Sequence, residues 1–151
     1  TMKPENVEEF KRRFNQYVED NIDPKSLIPQ VEIDSMLSFG DITPTFFHEL
    51  NRFQPFGPGN NAPVFATLCV SNEKGDAKLV GAEAEHLRMD LTQTQKPNTT
   101  IQTIAFSQPT HYEWVRSGRP VDVCYQIVEN HYRGSVTTQL RIKDIKRNTS
   151  K

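Results

Sequence analysis

The sequence predicts a mainly β protein with a helical N-terminal appendage. Apolar residues recur at spacings of three and four before residue 52, as on a helix, and at alternate positions after residue 64, as on strands. Between these parts, residues 52–65 (the elbow) hold three prolines and two glycines, which exclude a continuous helix or ladder strand. Because the elbow also carries Phe53, Phe56 and Phe65, it is predicted to be rigid and buried.

Length and composition favour one ordinary domain, or one small domain with an appendage. The chain has 151 residues, and its nine Phe and four Tyr suffice for one compact core. The formal net charge is −1, but residues 1–50 hold ten acidic and five basic residues, whereas residues 51–151 hold nine acidic and thirteen basic ones. The basic excess of the strand-rich part indicates an anionic partner there.

The two cysteines and the hydropathy pattern bear on the compartment. Cys69 and Cys124 both lie in strand-like runs, and we interpret them as buried thiols of a reducing, cytoplasmic compartment, although a disulfide is also compatible with the pattern. No apolar run reaches the length of a membrane span and no signal peptide is recognisable, so no membrane partner is expected. The chain starts Thr1-Met2 and enters a helix almost at once, which we interpret as a cut inside a longer protein.

Two helices and a short strand are predicted in the first 54 residues. The first helix runs from about residue 4 to residue 21 with one apolar stripe, and it is too short to be stable alone, so it is expected to dock on another part of the protein. A short strand is predicted at residues 31–34. The second helix follows Thr43, a plausible N-cap, with Pro44 in its first position.

The remainder of the chain predicts five strands and one helix. The helix is indicated by Thr110 and Glu113, spaced as a capping box, and by Gly118 at its C′ position. The order of three strands, a helix and two strands matches the five-stranded Greek-key OB barrel, with a helix between strands 3 and 4; SH3-like barrels share much of this order. The predicted domains are residues 1–54 and 55–147. The strands are predicted at residues 64–80 (with a turn at 72–76), 85–91, 101–106, 121–127 and 139–143.

No catalytic or metal-binding constellation is indicated. The four histidines are scattered over different elements and neither cysteine belongs to a CxxC pair. A GxSxG motif is absent, and the Gly-Pro-Gly of the elbow lacks the Lys-Ser/Thr of a phosphate loop. The chain is therefore expected to hold no catalytic residue, metal or other cofactor.

The remaining constellation combines cations with an aromatic ring. In OB barrels, the face of strands 2 and 3 and the loops joining strands 1–2 and 4–5 bind oligonucleotides. A single strand requires cations along its phosphates and flat rings for its bases, at about 1–3 kcal/mol per stacked base. The other interpretation is a rim of solvated charges, with Tyr132 packing its hairpin. The predicted nucleic-acid-binding residues are Lys74, Lys78, His86, Arg88, His131, Tyr132, Arg133, Arg141 and Lys143.

Several motifs resemble those of the bacterial RecJ family of single-strand-specific 5′→3′ DNA exonucleases. Residues 85–89 resemble that family's HLKL strand, with Arg88 keeping the cation; residues 104–106 resemble its aiaF strand, and residues 130–145 its NxYRG…QLxvxDI ending. Residues 1–17 are similar to the helix after its GGHxxAAG motif. The PFGxGNxxPxF junction of the family is matched by Pro55, Phe56, Gly57, Gly59 and Asn60, followed by Pro63-Val64-Phe65.

This resemblance implies a C-terminal fragment comprising the end of the DHH-associated domain and the OB domain of an enzyme of DNA recombination and repair. The family cleaves DNA with Mn or Mg ions held by an Asp/His cluster that includes an Asp-His-His triplet, which this sequence lacks. The chain is thus expected to bind single-stranded DNA without cutting it, beside the rest of the parent chain and single-strand-binding protein. The alternative is a protein-interaction module that docks on the catalytic domain or on single-strand-binding protein and contacts no DNA.

Overall fold

The computed structural model describes residues 2–93, 99–132 and 134–149, with Tyr132 described by its backbone alone. The chain forms two compact units, Thr1–Val31 and Glu32–Lys151. The boundary predicted after residue 54 lies later in the chain than this division. The difference arises because residues between 32 and 54 supply a short strand and a buried aromatic side chain to the second unit.

The N-terminal unit consists of α1 (Val7–Asn21) between two short 3-10 helices. The predicted end of the helix at Asn21 is confirmed. No residue of α1 is buried, and its apolar stripe is exposed, with the rings of Phe10 and Phe14 stacked at 5.7 Å. That this stripe docks on another part of the protein stays a prediction.

Five strands of the second unit close into a barrel. Strand β2 (Phe65–Ser71) pairs antiparallel with β4 (His86–Gln93) and with β6 (Val121–Tyr132). Strand β5 (Thr99–Ala105) pairs antiparallel with β4 and parallel with β7 (Ser135–Arg147), which in turn pairs antiparallel with β6. The closed circuit β2–β4–β5–β7–β6 is a five-stranded Greek-key barrel, and the predicted OB fold is confirmed.

Two short strands extend the sheet to seven. Strand β1 (Ser35–Met36) runs parallel to β2. The strand predicted at residues 31–34 therefore lies later in the chain than expected. Pairing with the β2 side starts only at Asp34, whose N–H donates to the Val64 carbonyl at 2.8 Å. Strand β3 (Lys78–Val80) pairs antiparallel with β4. The stretch expected to continue the first strand is therefore one arm of a hairpin with β4.

Helix α2 (Pro44–Asn51) attaches to the barrel by its apolar face. It begins as predicted, because the Thr43 hydroxyl accepts a hydrogen bond from the Phe46 N–H at 3.1 Å. Leu50 is buried, and the Phe46 ring packs edge-on against the Phe65 ring of β2 at 5.8 Å. The helix thus brings the elbow alongside the barrel wall.

Helix α3 (Tyr112–Arg116) lies between β5 and β6, which confirms the helix predicted between barrel strands 3 and 4. The capping box predicted from Thr110 and Glu113 is wrong. Thr110 lies inside a preceding 3-10 turn, and the N-cap residue of α3 is His111, whose side chain makes no capping hydrogen bond. Gly118 has a φ of +73°, as its predicted C′ position requires.

The elbow is held by local hydrogen bonds, and the prediction that it is buried is wrong. Phe53 is 68% exposed, and of the three elbow phenylalanines only Phe65, inside β2, is buried. The Asn60 side chain donates to the Phe53 carbonyl at 2.9 Å, and Gly57 and Asn60 exchange two backbone hydrogen bonds of 2.9 Å. Gly59, at φ +82°, permits this tight turn.

A bulge interrupts β2 between Thr67 and Val70. Leu68 is 52% exposed and Cys69 has a φ of +55°, so the prediction of a strand buried on both sides is wrong at these residues, and so is the predicted burial of Cys69. Cys124 is buried as predicted, and burial raises the pKa of its thiol. Both thiols are free.

The centre of the barrel contains a buried hydroxyl pair. The Tyr125 hydroxyl lies 2.7 Å from the Thr67 hydroxyl, which donates to the Leu37 carbonyl at 2.7 Å. Because Thr67 has a single hydroxyl proton, Tyr125 is the donor of its own bond to Thr67. The pair ties the segment before α2 to β2 and β6.

Ionisation of Tyr125 should limit stability at alkaline pH. Burial raises the pKa of Tyr125 from 10.0 to about 12. Since the unfolded chain releases this proton near pH 10 and the folded chain keeps it to about pH 12, the free energy of unfolding should fall by roughly 2–3 kcal/mol over that window. Urea unfolding at several pH values measures it. In Tyr125→Phe this part of the fall should vanish, whereas in the exposed control Tyr17→Phe it should persist; an identical pH profile in Tyr125→Phe would contradict the assignment.

Candidate nucleic-acid interface

Strand register aligns three predicted cations in one row on the outside of the barrel. Lys78 of β3 lies opposite Arg88 of β4, Arg88 opposite Ile104 of β5, and Ile104 opposite Arg141 of β7. Directly paired residues project from the same face, and neighbouring strands lie about 4.8 Å apart, so the row is roughly 14 Å long. Lys78, Arg88 and Arg141, all exposed, are called the cation row below.

An exposed aromatic ring stands beside the cation row. Phe106, directly after β5, is 44% exposed. The His86 ring packs edge-on against it at 4.9 Å, and the Arg141 guanidinium lies 5.8 Å from its ring centre. A cation within about 6 Å of a ring is attracted to the ring face. The site therefore offers a flat ring and a cation side by side, which suits a base and its phosphate.

His86 is held by hydrogen-bonding contacts at both ring nitrogens. Its Nδ1 accepts a hydrogen bond from the Ser107 N–H at 3.2 Å, which places the proton of the neutral ring on Nε2. Nε2 lies 3.3 Å from a Glu85 carboxylate oxygen. These contacts fix the edge that His86 presents to Phe106.

The turn between β3 and β4 requires glycine at position 81. Gly81 has a φ of +99°, and a Cβ atom there would lie 2.4 Å from Oε2 of Glu85. That oxygen accepts the Glu83 N–H at 2.9 Å, and backbone hydrogen bonds from Glu85 itself and from Glu83 lower the pKa of Glu85. This turn sets the register of the β3–β4 hairpin, in which Lys78 lies opposite Arg88.

Two carboxylates lie near the cation row, Asp90 on β4 and Asp76 in the turn before β3. Burial and the neighbouring Asp76 raise the pKa of Asp90, and this rise is opposed by Lys74 and Arg88. Burial also acts on Asp76, but hydrogen bonds from Asn72 and Asp90 lower the pKa of Asp76. The two carboxylates interact with each other, and Lys74 and Arg88 lie close enough to act on Asp90.

The cations of the row form no ion pair with a described residue, although the Asp90 carboxylate lies near Arg88. Within residues 2–93, 99–132 and 134–149, no ion pair involves Lys78, Arg88 or Arg141. Other cations do pair: Arg12 with Glu9 at 2.9 Å in α1, and Arg52 with Glu49 at 2.6 Å. An anion that approaches the row therefore meets exposed cations and has no ion pair to break.

The other predicted site residues divide into two groups. Lys143 is exposed two residues beyond Arg141 on β7, and Lys74 lies in the turn before β3, so both flank the cation row. His131 lies near the far end of β6 and contacts Glu129 at 3.0 Å, away from the row. The side chain of Tyr132 and all of Arg133 lie outside the described residues.

The sequence pattern missed two features. Phe106 was predicted as the last residue of a strand and was not included among the nucleic-acid-binding residues. An aromatic residue at the end of a strand on the predicted binding face could have indicated its role. The predicted site also omitted three arginines beside α3. Arg119 and Arg147 lie 4.8 and 5.1 Å from the Trp114 ring, and Arg116 lies 5.6 Å from the Tyr112 ring. These three arginines form a basic cluster on aromatic rings that is distinct from the cation row.

The described residues form neither a cluster of metal ligands nor a membrane-spanning helix. In the part of the chain that the structure describes, no three His, Cys, Asp or Glu side chains converge as the ligands of a metal site do. Among the described helices, none combines the length and the apolar character needed to cross a bilayer.

Comparison with known proteins gives consistent matches. The RecJ OB domain family matches residues 33–144. Single-stranded-DNA-specific exonuclease RecJ of Bacillus subtilis (strain 168) is 24% identical over 144 residues, which cover 95% of this chain and 18% of that protein. The crystal structure of RecJ from Thermus thermophilus in complex with Mg2+ has a TM-score of 0.66 and 21% identity, covering 99% of this chain and 21% of that one. Its complex with Mn2+ has the same TM-score and identity. The chain thus spans about a fifth of the length of these relatives, and the two crystal structures share its fold.

Proposed function

Because the chain belongs to the RecJ OB domain family, we propose that its barrel is the single-stranded-DNA-binding module of a RecJ-like 5′→3′ exonuclease of DNA recombination and repair. The observation that carries this proposal is the cation row of Lys78, Arg88 and Arg141, with the exposed Phe106 ring beside it. The row crosses β4 and β5, the strands whose face binds oligonucleotides in OB barrels.

Each part of the surface has a distinct role in this proposal. The cation row, flanked by Lys74 and Lys143, binds successive phosphates, which carry no base information. Phe106 stacks on one base, and every base has a face on which to stack, so the surface binds single strands of any sequence. In a duplex the bases are paired and stacked inside the helix and do not reach Phe106. Single strands should therefore bind more tightly than a duplex of the same length.

A salt titration tests the proposal. Binding of fluorescently labelled oligo-dT should weaken as salt rises, because each phosphate neutralised releases condensed counterions. Three phosphates on the cation row correspond to a slope of about −2 in log K against log salt, or roughly 20-fold weaker binding at about 200 mM than at about 50 mM salt. Absence of binding at the lowest salt would overturn the proposal.

The activity of the whole protein forms a second part of the proposal, since this chain spans about a fifth of its relatives. The parent protein is proposed to be a cytoplasmic hydrolase that cleaves DNA with Mn or Mg ions. These ions would be held by the rest of the parent chain. In it the barrel holds the strand and guides it to the catalytic domain. Single-strand-binding protein is a further proposed partner.

A docking module that contacts no DNA is the competing proposal. The basic cluster of Arg116, Arg119 and Arg147 favours it, because these cations lie on the Tyr112 and Trp114 rings of α3 and not in the register of the cation row. The oligo-dT titration separates the two proposals. If the protein binds no oligo-dT even at low salt, docking is favoured; if Arg88→Ala weakens binding and Arg116→Ala does not, DNA binding on the cation row is favoured.

A further inference from the structure

A cavity of about 250 Å³ opens between α2 with the elbow on one side and strands β6 and β7 on the other. Phe47 and Leu50 of α2 and Phe56 of the elbow give it apolar walls. Liquid water occupies about 30 Å³ per molecule, so the cavity has room for roughly eight waters, about the space of one flat ring system. Apolar walls with a few convergent polar groups are typical of ligand sites.

The cation row leads directly into this cavity. Arg141 belongs to both, since its guanidinium lies over Phe106 while its side chain also lines the cavity. The next residue of the same register row, Gln126 of β6, lies opposite Arg141 and lines the cavity too. A strand whose phosphates follow the row therefore passes the mouth of the cavity.

Apart from Arg141, the polar groups of the cavity suit a neutral base better than a phosphate. Gln126 donates its Nε2 to the Ala62 carbonyl at 2.9 Å, which fixes the amide; its Oε1 accepts no hydrogen bond from any described residue. The Glu129 carboxylate also lines the cavity, with one oxygen 3.0 Å from the His131 ring. A carboxylate repels phosphate. By contrast, Oε1 of Gln126 and the Glu129 carboxylate can each accept a hydrogen bond from an N–H group of a base edge.

We infer that this cavity receives one unpaired nucleobase of the bound strand, next to a base stacked on Phe106, with Arg141 between the two positions. The inference rests on the proposed function and deepens it, because it assigns a base subsite to the junction between the elbow and the barrel. The conformation of that junction is set by the Asn60 and Gln126 side chains.

The test compares a short oligo-dT with a strand of the same length in which every nucleotide is abasic. The abasic strand keeps the phosphates and lacks the bases. Wild-type protein should bind the abasic strand at least tenfold more weakly, the effect of losing one or more stacked bases, with the same salt slope. Two substitutions then assign the loss to the cavity: Ala62→Phe fills it and Phe56→Ala removes one of its walls.

Either variant should weaken oligo-dT binding about tenfold and leave abasic binding unchanged. The control is Leu68→Phe, which places the same aromatic side chain at an exposed site on the β2 bulge and should change neither affinity. Variants that weaken both strands equally overturn the base subsite while the proposed function stands. Equal wild-type affinities for the two strands overturn both the base subsite and the stacking on Phe106, and leave only phosphate binding by the cation row. If the wild-type protein binds neither strand, the proposed function fails, and the inference fails with it.

Discussion

Replacing Arg88 and Arg141 together by alanine should weaken oligo-dT binding about a hundredfold at low salt. Both side chains are exposed members of the cation row, and neither has an ion pair with a described residue. Losing one charge-assisted phosphate contact costs roughly 1.4 kcal/mol or more, about tenfold in affinity. Two phosphates no longer neutralised should also make the salt slope shallower by about 1.4.

The matched control removes two other arginines from the same unit. Arg52 pairs with Glu49, and Arg116 lies on the Tyr112 ring, so neither belongs to the cation row. Arg52→Ala with Arg116→Ala changes the net charge by the same amount and should leave affinity within about twofold and the slope unchanged. Equal weakening by the two double variants would show that the row has no special role and that overall charge attracts the strand.

The barrel could be predicted from the sequence because its strands alternate clearly. In β4, Leu87, Met89 and Leu91 are buried while His86 and Arg88 lie outside, as the period of two requires. Strands β1 and β3 have only two and three residues, too few for a period to be recognised, and they are held by pairing with longer neighbours. Such pairing depends on the closed sheet and cannot be predicted from the local alternation of apolar and polar residues.

The phase of β5 could not be read, and the reason lies in the candidate site. Thr103 and Ala105 are buried, whereas Ile104 and Phe106 lie on the outer side, so at positions 103, 104 and 106 polar and apolar residues are reversed relative to an ordinary strand. Thr103 is accommodated inside because its hydroxyl donates to the Met89 carbonyl at 3.0 Å. Local rules fail most often where a surface is kept for binding, and under the proposed function this strand is such a place.

The cation row depends on information that no single segment carries. Lys78, Arg88 and Arg141 are far apart in the chain, and their alignment requires the Gly81 turn, the β4–β5 register and the parallel contact between β5 and β7. Composition alone indicated a basic C-terminal part and left open whether its charges cluster or scatter. The register answers that question for these three cations.

The segment between the two predicted domains contributes to the core more than its sequence indicated. Phe39, in a 3-10 turn before α2, is 1% exposed and packs edge-on against Tyr125 at 6.1 Å. The Gln93 side chain at the end of β4 accepts hydrogen bonds from the Phe39 N–H at 2.8 Å and from the Ser38 hydroxyl at 3.0 Å. This turn therefore closes one part of the barrel core.

Phe39→Ala should accordingly destabilise the second unit by about 3–5 kcal/mol, the cost of removing a fully buried phenylalanine. The midpoint of urea unfolding measures the change, and the slope should stay constant because the surface exposed on unfolding hardly changes. Phe53→Ala is the control: Phe53 lies in the same stretch before the barrel but is 68% exposed, so its loss should cost less than about 0.5 kcal/mol. If both variants unfold at the wild-type urea concentration, the barrel does not need residues 32–54, and the boundary predicted at residue 54 is the better description of the domain.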